Sequence, residues 1–312
     1  MILLLLPLVS AGCKKQADDR AAMSMMLMDT VVEIGVRGCG PKQINAAFES
    51  MRKVESKLNR FDPSSELSRI NSSAGTGPVK ASADLFEVVG VALDVAQATG
   101  GAFDPTVSPA VELWASQCCK PPELWEIEDV AARIGWEKIE LHKDGKISIP
   151  EGVSLNLDGI AKGYAVDKAL ETLKRGGCAA AIVNAGGDVA CYAAQNERPW
   201  SIGIEGTGSL KISIRNGAVA TSGTERRFKI IDGKKYSHVI DPRSSTPVDG
   251  RIISATAVTT RCLSADAWAT AALVAAENIL DSADDFGVGI VLLDSHNKIK
   301  SNKYWNIFNR DY

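Results

Sequence analysis

Apolar residues recur along this chain with two different periods. Lys42–Leu58 places Ile44, Phe48, Met51, Val54 and Leu58 on one face at helical spacing, which predicts a helix. Ala81–Thr99 is a second helical stretch, stopped by Gly100-Gly101, and Ala161–Arg175 is another, closed by Gly176-Gly177. Helices are also predicted over Glu128–Ile134 and Ser264–Ala276, and Ser64 or Ser65 is placed to cap a short one before Asn71. β-Branched or alternating runs predict strands at Leu27–Val36, Ala180–Val183, Trp200–Glu205, Lys211–Ile214 and Ala218–Thr221. The same pattern continues through Arg227–Ile231, Lys235–Ile240, Ile253–Thr259 and Gly287–Leu293, and Lys138–Ile149 reads as a hairpin around Lys143-Asp144-Gly145. Strands and helices mix without a strict βαβ rhythm, so the expected class is α+β.

Composition narrows the function. With 45% hydrophobic and 23% charged residues over 312 positions, the chain has the make-up of a globular protein, which argues against disorder, collagen and a coiled coil. Lys and Arg number 35 against 38 Asp and Glu, a net charge of -3, so no basic field exists to hold nucleic acid.

The first residues change the expected address. Ile2–Val9 is an apolar run far shorter than the roughly 20 residues a membrane span needs. Ser10-Ala11-Gly12 then leads into Cys13 and a polar stretch, which reads as a signal peptide over residues 1–12. The pattern resembles the bacterial lipoprotein signal, in which the cysteine is lipidated. The expectation is therefore Cys13 as lipid anchor, residues 13–24 as a solvated tether, and residues 25–312 as the folded domain. That places the protein in the bacterial cell envelope, facing the periplasm, with the membrane touched through the lipid alone. Export permits disulfides without requiring them. The remaining cysteines show no CxxC spacing, and Cys178, Cys191 and Cys262 read as small buried hydrophobes.

Three motifs carry chemistry. Asp266 and Thr270 lie four residues apart on a predicted helix and so share a face; a carboxylate and a hydroxyl are hard oxygen ligands suited to Mg²⁺. Asp158-Gly159-Ile160-Ala161-Lys162-Gly163-Tyr164 opens a helix whose amides face an anion, and Asn184-Ala185-Gly186-Gly187-Asp188 follows a strand as either a ligand approach or a tight turn. Neither is a P-loop or a GxGxxG turn. In Tyr236-Ser237-His238-Val239-Ile240-Asp241-Pro242, His238 stands near a carboxylate, where an imidazole is suited to take a proton from a hydroxyl. The residues alone stop at a metal-dependent site for phosphate chemistry.

These motifs, together with Met28-Asp29-Thr30, Phe61–Asn71, Gly101–Thr106 and Thr221-Ser222-Gly223, occur in the order seen in the ApbE family, which the chain resembles over residues 25–295. The resemblance implies mixed, largely antiparallel sheets with packed helices. It implies FAD as substrate, cleaved with Mg²⁺ at its diphosphate, with FMN passing to a Ser or Thr of an acceptor flavoprotein, such as a membrane redox subunit, and AMP released. An FAD pyrophosphatase and a non-catalytic FAD-binding lipoprotein are the alternatives. The metal ligands it implies are Asp266, Thr270 and the carbonyl of Ala161. The flavin or nucleotide contacts are Met28, Phe61, Ala102, Phe103, Asp104, Asn156, Lys162, Gly186, Gly187 and Ile240. His238 or Asp241 is the expected base, and Asp266 carries the catalytic charge. Asp29 stands where the family usually has Gly, and Asp158 adds a carboxylate expected near the metal.

Overall fold

Alternate residues of the central strands face two different apolar layers, and this organises the whole chain. The structure is a computed structural model that describes residues 20–208, 210–224 and 228–308. The expected signal peptide and lipid-anchor residue Cys13 lie outside those residues. β1 (Arg20–Leu27) and β2 (Thr30–Arg37) form a hairpin turned by Met28 and Asp29. After α1 (Pro41–Leu58), α2 (Glu66–Asn71), β3 (Val79–Lys80) and α3 (Ala83–Ala98) come α4 (Ser108–Ser116) and α5 (Leu124–Ala131). β4 (Glu140–His142) and β5 (Lys146–Ser148) join β3 in a small sheet ordered β3-β5-β4. α6 (Ala161–Arg175) leads into the hairpin of β6 (Ala180–Ala185) and β7 (Asp188–Ala193). β8 (Trp200–Gly203) pairs with β9 (Lys211–Ile214), and β10 (Asn216–Gly223) returns to the main sheet. Two short hairpins follow, β11 (Phe228–Ile231) with β12 (Lys234–Ser237) and β13 (Ile240–Asp241) with β14 (Thr246–Pro247). β15 (Ile252–Thr259), α7 (Cys262–Ala275), α8 (Ile279–Asp285), β16 (Gly289–Asp294), β17 (Ile299–Ser301) and α9 (Lys303–Phe308) complete the chain.

The main sheet runs β1-β2-β6-β7-β10-β15-β16-β17, and every neighbouring pair is antiparallel. The α+β expectation therefore holds. Ala190, Ala218, Ala220, Ala257 and Ile290 face the layer built by α1, α6 and α7. Their neighbours Val189, Val219, Val258 and Val291 face the β8–β9 hairpin and Trp305 of α9. Covered on both sides, these strands read as continuous apolar runs rather than as alternating ones. That is why β7, wholly buried, escaped the alternation test.

Other differences have local causes. Leu27–Val36 is not one strand: Met28 (φ 51°) and Asp29 (φ 57°) take left-handed conformations and reverse the chain. Asp tolerates that region better than most residues, so it serves where Gly is usual. The strand pattern of β1 begins at Arg20, so Arg20–Ser24 of the expected tether belong to the sheet edge. The helix expected at Glu128–Ile134 lies at Leu124–Ala131, started by a capping box from Glu123 and Glu126. Ser65 caps α2 by accepting the Ser68 amide, as expected. Among the described residues, no helix is long and apolar enough to cross a membrane.

Cys178 is not a free buried thiol: it forms a disulfide with Cys39, 139 residues away. Cys191 and Cys262 are buried and unbonded, as the sequence implied, and burial pushes the Cys191 thiol up to about 12. The bond ties the end of β2 to the start of β6 and closes a long loop, which removes conformational freedom from the unfolded chain. Replacing Cys39 and Cys178 by Ser is expected to lower the unfolding free energy by about 2–5 kcal/mol. Urea unfolding of the oxidised protein checks this; an unchanged midpoint contradicts it.

Candidate active site

α7 is apolar around its whole circumference, and Leu263, Ala265, Ala267, Trp268, Ala269 and Ala271 are buried with it. Such a helix belongs in a core, and a carboxylate on it is costly unless it has partners. Asp266 is 4% exposed. Its Oδ2 accepts the Gly163 amide in the first turn of α6 at 3.0 Å and lies 4.0 Å from Lys162 Nζ. α6 has no side-chain cap of its own at Ile160, so Asp266 serves as its N-terminal anion from across the helix pair. The arrangement is reciprocal. Asp167 of α6 accepts the Cys262 and Leu263 amides that open α7, at 2.8 and 3.0 Å, and burial holds its carboxyl above the usual range.

The two helices approach so closely only because position 163 has no side chain. A Cβ there would stand 2.3 Å from the Cys262 carbonyl oxygen and 2.9 Å from Asp266 Cβ. Gly159 plays a milder version of the same part, facing Phe103 and Thr270 Oγ1. Thr270 hydrogen-bonds Ser222 of β10 at 3.2 Å. Asp266, Thr270, Ser222 and the first turn of α6 therefore meet at one end of the main sheet. Asp188, the first residue of β7 and 1% exposed, is ion-paired with Lys162 there.

The residues expected to contact the flavin away from the sheet end lie in four segments. Ala102 and Phe103 are buried in the loop after α3. Asp104 accepts the Thr106 amide and hydroxyl and the Trp136 amide, and burial raises its carboxyl above the usual range; it orders this loop. The Asn156 amide donates to the Pro105 carbonyl at 2.6 Å, and its Oδ1 accepts the Asp158 amide, fastening the loop to the turn before α6. Phe61 is 72% exposed beneath the Arg60 guanidinium, 4.1 Å from the ring centroid. Arg60 also pairs with Asp158 at 2.9 Å, so Asp158 is turned outward rather than toward Asp266. Ile240 is buried with Trp114 and Val130. His238 is exposed just after β12. Asp241 is engaged by Arg243 through two side-chain bonds of 2.9 and 2.7 Å.

Met28 and the glycine pair lie at the sheet end. The Met28 amide donates to Glu55 at 2.9 Å. Gly186 and Gly187 form the tight turn of the β6–β7 hairpin with φ of 62° and 106°, and a Cβ on Gly186 would strike Thr30. They line a cleft of about 580 Å³ with Thr30, Glu33, Asn184 and Thr221, on the sheet face away from α6 and α7. Sequence reasoning placed Asp188 and Ser222 only within their motifs, Asn184–Asp188 and Thr221–Gly223, and gave neither side chain a part at the metal. The signal for Asp188 was present, since it is a carboxylate at the head of an otherwise unbroken apolar run, Val189–Ala193.

A divalent cation fits the residues at this centre. The available donors are the Asp266 carboxylate, the Thr270 and Ser222 hydroxyls and the Ala161 carbonyl, all hard oxygens. Among the described residues, no group of three His, Cys, Asp or Glu side chains forms a metal cage. Such a sparse set suits an ion that completes its shell with water and substrate phosphate, as Mg²⁺ does.

An antiparallel sheet with paired helix N-termini, two buried carboxylates and hydroxyls at its end is chemically suited to handling phosphate. The profile of the ApbE family matches residues 28–290, and the chain belongs to that family. It is 30% identical to the FAD:protein FMN transferase of Chlamydia pneumoniae over 283 residues, covering 86% of this chain and 88% of the relative. It is 31% identical to the FAD:protein FMN transferase of Vibrio cholerae, covering 86% and 85%. Its fold matches the crystal structure of the ApbE protein of Thermotoga maritima with a TM-score of 0.84 at 27% identity, over 94% of this chain and 100% of that one. A histidine-to-glycine variant of the Vibrio cholerae flavin transferase ApbE superposes with a TM-score of 0.83 at 26% identity, over 93% and 99%.

Proposed function

We propose that this protein is an FAD:protein FMN transferase that uses Mg²⁺. The observation that carries the reading is the buried Asp266–Thr270 pair set against the first turn of α6, in a chain whose relatives are FAD:protein FMN transferases. In the reaction, an acceptor Ser or Thr oxygen attacks the FMN-side phosphorus of FAD. The bond from that phosphorus to the bridging oxygen breaks, and AMP leaves. Mg²⁺ held by Asp266, Thr270 and the Ala161 carbonyl would neutralise charge on the phosphoryl oxygens. Lys162 adds a positive charge beside the same diphosphate. Asp266 supplies the carboxylate and at the same time holds the α6 turn in place through Gly163. Phe61, Ala102, Phe103, Asn156 and Ile240 bind the flavin or adenosine, with Met28, Gly186 and Gly187 at the sheet end, while Asp104 shapes the loop that carries Phe103. His238 takes the acceptor's proton, the role an imidazole is chemically suited to play toward a hydroxyl.

The protein acts outside the cytoplasm, as a lipoprotein anchored through Cys13 and facing the periplasm. The Cys39–Cys178 disulfide supports this, because such bonds persist in oxidising compartments. The acceptor is a flavoprotein exposed on the same side, such as a subunit of a membrane redox complex.

A direct test uses an acceptor domain purified without flavin and a version with its target hydroxyl residue changed to Ala. With FAD and Mg²⁺, in-gel flavin fluorescence is expected on the first and not on the second. Labelling of both contradicts phosphoester transfer to that hydroxyl, and labelling of neither contradicts the transferase reading for that acceptor class.

A further inference from the structure

Two buried carboxylates share one lysine at the end of the main sheet. Asp188 and Asp266 are 1% and 4% exposed, and each is the one charged residue of its element. Lys162 extends from the first turn of α6 between them. Its ammonium is ion-paired with Asp188 Oδ2 and stands 4.0 Å from Asp266 Oδ2. The ammonium is shared by the two carboxylates and lies closer to Asp188.

That position bears on the metal. An ammonium close to a carboxylate competes with a divalent cation for the same oxygens, and competition in a desolvated site is stronger than in water. Lys162 cannot leave the region, because the α6 turn that carries it is fastened to Asp266 through Gly163. What decides how far it opposes a cation on Asp266 is the anion that holds it elsewhere. Asp188 is that anion, and it is fixed, since it is the first residue of a wholly buried strand directly after the Gly186-Gly187 turn.

We propose that Asp188 is a positioning residue that holds Lys162 off Asp266 and so sets the affinity of the site for its divalent cation. The inference rests on the reading of Asp266 as a metal ligand and deepens it. Asp188 touches neither the metal nor the reacting atoms in this account. It acts through Lys162, which is thereby kept beside the diphosphate rather than on the metal's own ligand.

Four proteins test this: the wild type, Asp188→Asn, Lys162→Met and the double variant, each titrated with Mn²⁺ alone and followed by the EPR signal of the free ion. Lys162→Met is expected to bind Mn²⁺ more tightly, because the competing ammonium is gone. Asp188→Asn is expected to bind more weakly, because Lys162 swings onto Asp266. In the Lys162→Met background the Asp188→Asn change is expected to matter about tenfold less than in the wild type, a coupling of the size contacting residues show. Purely additive effects overturn the proposal, since removing a distant negative charge would weaken binding equally in both backgrounds. Should Asp188→Asn fail to fold, Lys162→Met decides alone: unchanged or weaker binding overturns the proposal. An Asp266→Asn protein, which keeps the oxygen that accepts the Gly163 amide, measured alongside separates the two levels. If it binds Mn²⁺ as the wild type does, the metal site itself is wrong and this proposal falls with it. If it does not bind, additivity removes only the role of Asp188.

Discussion

Replacing Asp266 by Asn is expected to cut flavin transfer by about 10²–10³-fold, the loss typical of removing a group that stabilises developing phosphoryl or oxyanion charge. The variant is chosen because it isolates charge. Asn retains an oxygen where Asp266 accepts the Gly163 amide, so the first turn of α6 keeps its cap. Losing the cap as well, as in an Ala variant, would leave a buried donor unsatisfied at a cost of about 1–3 kcal/mol and confuse the reading. What the variant loses is the negative charge that Asp266 sets at the start of α6 and offers to a cation. Lys162 keeps its partner Asp188 in the variant, so its placement is preserved. The measurement is the initial rate of AMP release with FAD, Mg²⁺ and acceptor, with a thermal melt as control. A folded Asp266→Asn protein that works within about threefold of the wild type contradicts the assignment.

Replacing Gly163 by Ala is expected to destabilise the protein by about 3 kcal/mol or more, at the upper end of what overpacking a core costs. In a helix interior the same change ordinarily stabilises by about 1 kcal/mol, so the sign is diagnostic. The cause is distance. The new Cβ would lie 2.3 Å from the Cys262 oxygen and 2.7 Å from its carbonyl carbon, and both belong to backbone that cannot rotate away. Relief requires the N-termini of α6 and α7 to part, which breaks the Gly163–Asp266 bond and strains the opposite cap made by Asp167. Activity should therefore fall even in the molecules that remain folded. Gly159→Ala is the matched control. Its Cβ would meet the Phe103 ring at 3.2 Å and Thr270 Oγ1 at 3.4 Å, both side-chain atoms able to yield. Urea unfolding of the two variants is expected to separate them clearly; equal midpoints contradict the packing account.

The parts of this site that were legible in the sequence are those set by local spacing. Asp266 and Thr270 share a face because a helix repeats every 3.6 residues, and the stretch around them is helical in pattern. The α6 turn and the cap at Ser65 are likewise short-range features with their own residue signals. What was not legible is set by contacts between distant segments. The Cys39–Cys178 bond, the Asp188–Lys162 pair and the reciprocal caps join residues that no spacing rule brings together. One turn and one strand were hidden, for opposite reasons. Met28-Asp29 lacks glycine, so the reversal between β1 and β2 left no mark in the alternation. Gly186-Gly187 carries the mark of a tight turn, but the strand after it is buried on both faces and lost its polar alternation. Asp158 shows the limit of reading charge from sequence. Its place beside the α6 turn suggested a carboxylate near the metal, yet it pairs with Arg60 and its side chain is half exposed.

The central claim is that FAD cleavage and flavin attachment are one reaction of this protein. It is tested most directly by counting both products in one vessel holding the protein, FAD, Mg²⁺ and a flavin-free acceptor. The account predicts one AMP for each covalently attached flavin, with little AMP formed when the acceptor is withheld. AMP accumulating at the same rate with or without acceptor, and no covalent flavin, would contradict it and identify a pyrophosphatase instead.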